Sequence, residues 1–375
     1  MKELKKIFSV GIANVAGNGI AAIFWLYIAT IMSAEQYGLL HYFFGLAGIM
    51  QVVSFIGGPT TVTVFTAKGL KLHTTLFFIS FIAVIIAAIV VFISSNNFEV
   101  GLLVIGYLII DISTSFLLGK RSYVTYTKFI LLQKTVMVIL CLFLYNLLEI
   151  NGIILGLVIS SFIFVPLLVK EFIRTKIDLF LLKSNIRYVI NNYILSLVGG
   201  FRSNIDKLII APLVGYAVLG QYTLSFQMYA VIMTFSLIAF KYTLPEDAAN
   251  NSTLHVKKIT LALSVIVAIL SSLLLPIIIP ITFPKFIDSI DSIRIMSFAV
   301  IPATINLMVN SRLLADARST IALIGMFISL ISLVCGIIIL GSVFNLVGIA
   351  MAFVISPTLQ AIFYQCVLRI KLRSI

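Results

Sequence analysis

Apolar stretches of about 20 residues recur along the whole chain, and this repetition constrains the fold more than any other feature. A stretch of that length crosses the roughly 30 Å hydrocarbon core of a bilayer as one helix. Charged residues make up only 10% of the chain, whereas a soluble domain carries roughly 25%. The chain therefore lacks the polar surface of a water-facing fold, and the pattern predicts an all-α membrane protein.

Hydropathy and helix breakers divide the chain into about twelve predicted transmembrane helices. They fall into two six-helix bundles, which places the domains at residues 1–175 and 176–375. The predicted spans are 7–31, 37–65, 76–93, 100–118, 130–148, 152–169, 188–214, 216–240, 259–282, 295–314, 321–340 and 347–368. The second span is interrupted by Gly57-Gly58-Pro59, and residues 170–187 form a basic, amphipathic connection between the bundles.

The basic residues test this count independently. With the N-terminus in the cytoplasm, 21 of the 26 Lys and Arg residues fall at predicted cytoplasmic ends or loops, and only Lys285 and Arg294 lie in loops on the other side. One missed or invented helix would scramble this alternation, because cytoplasmic loops are the ones enriched in Lys and Arg. The distribution therefore predicts a multi-pass protein with both termini cytoplasmic.

Composition also excludes several function classes. The net charge of +13 lies between helices and does not cluster with aromatic residues, so no nucleic-acid partner is predicted. Cys141, Cys335 and Cys366 are isolated in apolar stretches without metal-ligand spacing. No GxxxxGK[ST] loop is present, so ATP is not the direct energy source. We therefore predict no metal, no cofactor and no enzymatic activity.

The two halves show a weak internal repeat. An offset of 182 residues places Leu26–Ala29 on Leu208–Ala211, Gly38 on Gly220 and Phe44 on Phe226. Because both halves contain six predicted spans and begin on the same side, the repeat is parallel and its axis runs along the membrane normal. Two bundles related in this way are typical of transporters that expose a central site alternately.

Three segments resemble the polysaccharide-biosynthesis flippases. They are IMSAEQYG at 31–38, NIDKLIIAPLVGYAVLGQY at 204–222 and FPKFIDSIDSIRIM at 283–296. They are similar to the opening of the second helix, the seventh–eighth hairpin and the ninth–tenth connection of that family, and they occur in the same order. Together with the predicted spans, the resemblance covers nearly the whole chain.

The resemblance implies the multidrug/oligosaccharidyl-lipid/polysaccharide exporter superfamily, and within it the O-antigen and capsule repeat-unit flippases. It implies a protein of the cytoplasmic (inner) membrane that moves a polyprenyl-pyrophosphate-linked oligosaccharide to the outer leaflet. Its partners would be this substrate, membrane lipids, a polysaccharide polymerase and glycosyltransferases. The first helix offers Asn14 and Asn18 where lipid II flippases carry a charged pair, which argues against a peptidoglycan-precursor role.

Charged residues inside the predicted spans are the main candidate site residues, because each costs roughly 2.5–3.5 kcal/mol near the bilayer centre. On the seventh span, polar residues at intervals of three or four share one face and predict a cavity lining. Arg202 would bind the pyrophosphate through its planar guanidinium. The predicted substrate-binding residues are Arg202, Asp206, Lys207, Asn192, Ser196, Asn14 and Asn18, and Asp111 and Lys134 form a predicted coupling or structural ion pair.

Alternatives remain open at this point. Asp111 with Lys134 and Arg202 with Asp206 are also compatible with ion pairs that only hold helices together. A drug or cation antiporter of the same superfamily would share the fold. A membrane-embedded polymerase or acyltransferase is a different class, but the sequence lacks the catalytic His or extended loop expected of one.

Overall fold

The computed structural model describes residues 2–249, 251–316 and 318–372, with side chains described for 16–244, 246–249, 251–316 and 318–367. Its regular elements are helices. They are α1 (Lys2–Ile31), α2 (Ala34–Ser54), α3 (Gly58–Ala67), α4 (His73–Ser95), α5 (Phe98–Gly119), α6 (Tyr123–Ser161), α7 (Val165–Arg174), α8 (Leu179–Ser184), α9 (Ile186–Val214), α10 (Tyr216–Ala248), α11 (Leu254–Thr282), α12 (Ser289–Ser297), α13 (Val300–Ala315) and α14 (Ser319–Leu372).

The helices account for the predicted number of spans. Over the described residues, 8 helical stretches are long and apolar enough to cross a membrane. Two of them, Tyr123–Arg174 and Ser319–Val367, run for 52 and 49 residues, at least twice the roughly 20 residues that one crossing needs. Counting two arms in each and adding α1 and α9 gives twelve. The predicted fold class, an all-α membrane protein of about twelve spans, is therefore confirmed.

Both long stretches reverse direction at one non-helical residue. Glu149 has φ 50° and ψ −126°, and Asn345 has φ 52° and ψ −133°, so the two turns have nearly the same backbone conformation. After each turn the chain packs back on itself: the Cys141 thiol donates to the Ile153 carbonyl at 3.3 Å, and the hydroxyls of Ser329 and Ser356 lie 2.7 Å apart. Each stretch is thus a helical hairpin, at equivalent positions in the two halves of the sequence.

Gly38 and Gly220 occupy equivalent positions in the sequence repeat. Each packs directly against the helix that carries the other. A Cβ atom on Gly38 would overlap the carbonyl oxygen of Tyr216, and one on Gly220 would overlap the carbonyl oxygen of Ala34. Tyr216 and Ala34 are themselves related by the same offset of 182 residues. The contact is therefore reciprocal, as expected of equivalent helix starts that a two-fold axis relates.

Contacts divide the chain into two compact units. Unit 1 contains the chain up to Trp25 and Phe43–Ile205, and unit 2 contains Leu26–Tyr42 and the chain from Asp206 onward. The core of unit 1 includes a cluster of Ile109, Leu117, Tyr126 and Phe164, and the core of unit 2 includes Tyr222, Met296, Ile337 and Ile349. This division by contacts does not test the predicted bundles at 1–175 and 176–375, which stay a prediction.

The connection at residues 170–187 is amphipathic, as the sequence predicts, and most of it is helical. It contains the end of α7, all of α8 and the first residues of α9. Its apolar side chains are open, with 83% of Phe180 and 62% of Leu179 exposed. The carboxylate of Asp178 caps α8 by accepting from the Leu181 amide at 2.8 Å. Exposed apolar side chains among Lys and Arg are typical of a segment at a membrane surface.

Candidate functional site

A polar cavity of about 190 Å³ lies within unit 1. It is bounded by α2, the start of α3, α5 and the middle of α9. Its lining residues are Gln51, Val52, Phe55, Gly58, Pro59, Thr60, Asp111, Ser196, Gly199 and Gly200. Four of these side chains can form hydrogen bonds or carry charge. Such a group is unusual between apolar helices, and it marks the polar cavity as the candidate site.

The polar cavity exists because the second span breaks. α2 ends at Ser54, and the backbone passes through Gly57 and Gly58 at φ 83° and 69° before α3 begins. These left-handed conformations favour glycine. A Cβ atom on Gly58 would overlap the hydroxyl oxygen of Ser196, so the absence of a side chain lets α9 approach the break. Pro59 then occupies the first turn of α3, where its missing N–H costs nothing.

Asp111 supplies the charge of the polar cavity. The side-chain amide of Gln51 donates to one of its carboxylate oxygens at 3.0 Å, which ties α2 to α5. The Asp111 carbonyl accepts a bond from the hydroxyl of Ser115 at 2.6 Å. The side chain is half-buried and lines the cavity. A carboxylate with one amide partner can bind a proton, a cation or a sugar hydroxyl there.

Two of the predicted site residues, Asp111 and Ser196, line the polar cavity. Asn192 lies one turn before Ser196, and its carbonyl accepts the Ser196 hydroxyl at 2.9 Å while its own amide bonds the Tyr188 carbonyl. Asn18 is exposed on α1, and the side chain of Asn14 lies outside the described residues. Only part of the predicted polar face therefore meets the cavity.

Sequence reasoning missed Gln51 and Thr60 as cavity residues. Gln51 is a lone amide late in an apolar helix, and Thr60 follows the Gly57-Gly58-Pro59 break that the sequence analysis did identify. An uncharged polar side chain in a span is a weaker signal than a charge, because its burial costs less. The nearby helix break was the signal that could have identified both.

The predicted ion pair between Asp111 and Lys134 is not formed in the structure, where neither is within ion-pair distance of the other. Asp111 faces Gln51 on α2, whereas the Lys134 side chain packs toward Gly17 on α1, with 3.8 Å between its Cγ and a Cβ position on that glycine. Two side chains at equal depth in the membrane, on helices adjacent in sequence, do not meet when they lie on helix faces that point toward different neighbours.

The charged residues late in α9 fall in different units. Arg202 is half-buried in unit 1, and Asp206 and Lys207 belong to unit 2. Asp206 is 4% exposed; one carboxylate oxygen accepts the Tyr222 hydroxyl at 2.8 Å, and the other lies 3.6 Å from the Lys207 ammonium. These bonds hold α9 to α10 within unit 2. Roles for Arg202, Asp206 and Lys207 in substrate binding stay predictions.

A second carboxylate cluster, also missed from the sequence, lies in unit 2 where α10, α11 and α13 end or begin. Asp247 is 2% exposed. Its carboxylate accepts from the hydroxyls of Thr253 and Ser311, both at 2.5 Å, and from the Lys257 ammonium at 2.6 Å. One of these donors comes from α11 and one from α13, so this Asp247 cluster ties three helices together. Over the described residues, no group of three or more His, Cys, Asp or Glu could hold a metal ion.

Comparison with known proteins supplies a fold but no family. No family model and no curated protein matches the chain. Among solved structures, the chain is similar to an inward-facing multidrug resistance MATE family transporter of the MOP superfamily. The TM-score is 0.72 with 14% identity, and the match covers 98% of each chain.

Two further solved structures show the same fold. One is lipid II flippase MurJ in an inward closed conformation, with TM-score 0.70, 14% identity and coverage of 96% of this chain and 87% of that one. The other is a MOP superfamily transporter from Pyrococcus furiosus, with TM-score 0.62, 15% identity and coverage of 99% and 96%. Likenesses at this identity establish the fold alone, and the proteins that share it here are transporters.

Proposed function

We propose that this chain is a flippase that moves a polyprenyl-pyrophosphate-linked oligosaccharide, such as an O-antigen or capsule repeat unit, from the inner to the outer leaflet of the cytoplasmic membrane. The observation that carries the proposal is the composition of the polar cavity. Its wall combines an amide, two hydroxyls and one carboxylate with the backbone of three glycines. Amide, hydroxyl and backbone groups in that mixture suit the many hydroxyls of a saccharide.

Arg202 extends this wall toward the phosphate end of the substrate. It follows Gly199 by three residues on α9, so the two are neighbours on the helix surface. A charged side chain at membrane depth is a candidate for contact with a charged ligand. The planar fork of the Arg202 guanidinium can bind two phosphate oxygens in parallel, which a lysine cannot reproduce. In the proposed mechanism the sugar enters the cavity, Arg202 holds the pyrophosphate, and the lipid chain stays in the bilayer.

Asp111 favours a second candidate, a drug or cation antiporter. A carboxylate that opens on a cavity can take up a proton or a cationic group, and the fold also occurs in a multidrug transporter. Against this, Asp111 is the only acidic residue among those that line the cavity, and Phe55 is the only aromatic one. A cation site in a membrane would be expected to contain more acids or an aromatic cage.

The test uses surface glycan in a strain from which the gene has been deleted. We expect deletion to abolish surface glycan and the wild-type gene to restore it. Arg202→Lys should restore little glycan at unchanged protein level, because the fork is lost, and Arg202→Ala should restore none. Arg187→Ala, at the exposed start of the same helix, is the matched control and should restore glycan fully.

Three results separate the alternatives. Normal glycan from Arg202→Ala would remove Arg202 from the site but leave the flippase function standing. Normal glycan in the deletion strain would overturn the function itself. Hypersensitivity of the deletion strain to cationic drugs, relieved by the wild-type gene but not by Asp111→Asn, would establish the antiporter.

A further inference from the structure

An apolar groove of about 490 Å³ lies on unit 1, apart from the polar cavity. Its walls come from the beginning of α4, the second half of α5 and α7. The lining residues are Phe77, Phe78, Phe81, Leu108, Ile109, Ile112, Val165, Leu168, Val169 and Phe172. All ten side chains are apolar, and the volume falls in the range of roughly 300–1,000 Å³ that holds a small ligand.

The groove is held open by fixed walls. On α7, Val165, Leu168, Val169 and Phe172 are spaced i, i+3, i+4 and i+7, so one face of that helix forms one wall. Off that face, Glu171 accepts a charge-assisted bond from Lys120 just after α5, with 2.7 Å between the two atoms. This ion pair fixes the spacing between α7 and the end of α5. The gap is therefore a property of the helix arrangement and not of one rotamer.

The groove is no longer than one leaflet. Its longest run of lining residues, from Val165 to Phe172 on α7, corresponds to about 10 Å of helix rise. Half of a hydrocarbon core of roughly 30 Å is about 15 Å. The predicted topology places the start of α4 and the end of α7 at the cytoplasmic side. One acyl chain of an inner-leaflet phospholipid fits this length, whereas a polyprenyl chain would extend beyond it.

Positive charge lies at the cytoplasmic end of the groove. Lys170 and Arg174 are exposed on α7, within one turn of the lining residues Val169 and Phe172. The acidic side chains of this segment are already engaged, since Glu171 pairs with Lys120 and the carboxylate of Asp178 caps α8. The two cations are thus left to attract an anionic headgroup at the membrane surface.

We propose that this groove binds one acyl chain of an anionic phospholipid of the inner leaflet, with Lys170 and Arg174 holding its phosphate. The same two turns of α5 present Asp111 to the polar cavity and Leu108 and Ile112 to the groove. The lipid therefore packs against the helix that carries the cavity's charge. The proposal concerns a site other than the transport site and stands whether or not the substrate is a lipid-linked saccharide.

The test measures phospholipid bound to the full-length protein after purification in detergent and extensive delipidation. Native mass spectrometry is used with phosphatidylglycerol or phosphatidylcholine of identical chains. Val169→Trp fills the groove from a position that is half exposed, so the core is left intact. Ile173→Trp, on the same helix and 78% exposed outside the groove, is the matched control. We expect the first variant to lose the bound phosphatidylglycerol and the second to retain it.

A second experiment tests the contact with the headgroup. It compares the double variant Lys170→Gln and Arg174→Gln with a control double variant, Lys183→Gln and Arg187→Gln. Each base removed from the groove end should weaken phosphatidylglycerol binding about fivefold and phosphatidylcholine binding less, because the choline cation offsets the charge of its phosphate. Equal binding by the two tryptophan variants would overturn the site. Equal binding of the two lipids by the wild type would overturn the anionic ligand. Displacement of phosphatidylglycerol by an equimolar polyprenyl phosphate would assign the groove to the transported lipid instead.

If Val169→Trp fails to elute as a monodisperse species, Phe81→Ala provides the second variant. It removes an exposed wall side chain and should weaken chain binding for both lipids. Ile86→Ala, which shortens an exposed side chain of α4 outside the groove, should not. Equal binding by these two variants would also overturn the proposal.

Discussion

At the scale of single residues, the polar cavity depends on two glycines with left-handed backbone. Gly57 and Gly58 end one helix and begin the next, and Gly58 also admits the hydroxyl of Ser196 from α9. The break leaves Gln51 on one side and Thr60 on the other, and both line the cavity together with Asp111. A side chain at Gly58 would therefore act on both the backbone and the packing of the site.

We predict that Gly58→Ala destabilises the protein more than Gly69→Ala does. Both glycines have positive φ, 69° and 74°, so both alanines incur backbone strain of about 1 kcal/mol. Only at Gly58 would the new Cβ also overlap Ser196, whereas at Gly69 no atom lies within 4 Å. The overlap should add about 1–3 kcal/mol. Thermal unfolding of both variants in the same detergent measures the difference, and equal losses of stability would show that α9 does not approach the break.

At the scale of elements, the Asp247 cluster fixes the ends of three helices of unit 2. Asp247 lies at the end of α10, Lys257 in the first turn of α11 and Ser311 late in α13. Burial raises the pKa of Asp247, but hydrogen bonds from Lys257, Ser311 and Thr253 outweigh this effect and hold that pKa below its usual value. The cluster stabilises the ionised form of the carboxylate, and the ionised carboxylate in turn stabilises the folded arrangement of these helix ends.

The sign of this shift gives a prediction of pH dependence. Because the folded-state pKa of Asp247 is depressed, its stabilisation is complete above the unfolded pKa of about 4 and is lost as the pH falls through the folded value. Asp247→Asn should lower stability by about 2 kcal/mol at pH 7 and should remove that part of the acid-induced loss. The measurement is thermal unfolding between pH 3 and 7. Asp288→Asn, at an exposed carboxylate, is the control; an equal effect in both would contradict the account.

At the scale of the whole molecule, the sequence predicts the elements well because span length and loop charge depend on the membrane and not on packing. The twelve spans, the break at Gly57-Gly58-Pro59 and the amphipathic connection at 170–187 all follow from local composition, and the structure confirms them. The two hairpin turns at Glu149 and Asn345 lie between predicted spans for the same reason.

The candidate site was predicted only in part, because it depends on how helices rotate about their axes. Asp111 and Ser196 were identified by charge and periodicity, and both line the polar cavity. Gln51 comes from another helix, and no local pattern in the sequence brings it to Asp111. The same limit explains the incorrect pairing of Asp111 with Lys134, since depth in the membrane can be counted along a chain whereas helix rotation cannot.

The fold does not determine the substrate, since solved structures that share it include a multidrug transporter and a lipid II flippase. The choice between these substrates therefore depends on the chemistry of the polar cavity and of α9. The cavity offers hydrogen-bonding groups with one acid, and α9 carries a half-buried arginine beyond it. These features favour a saccharide with an anionic linkage over a cationic drug.

The most direct measurement is transport by the purified protein in liposomes that contain a fluorescent polyprenyl-pyrophosphate oligosaccharide. The lipid is first bleached in the outer leaflet by an impermeant reductant, and the return of reducible fluorophore to that leaflet is then followed. We predict return with the wild type and Arg187→Ala, and none with Arg202→Ala or protein-free liposomes. The absence of return with wild-type protein, in liposomes that do exchange a cationic drug for protons, would contradict the account.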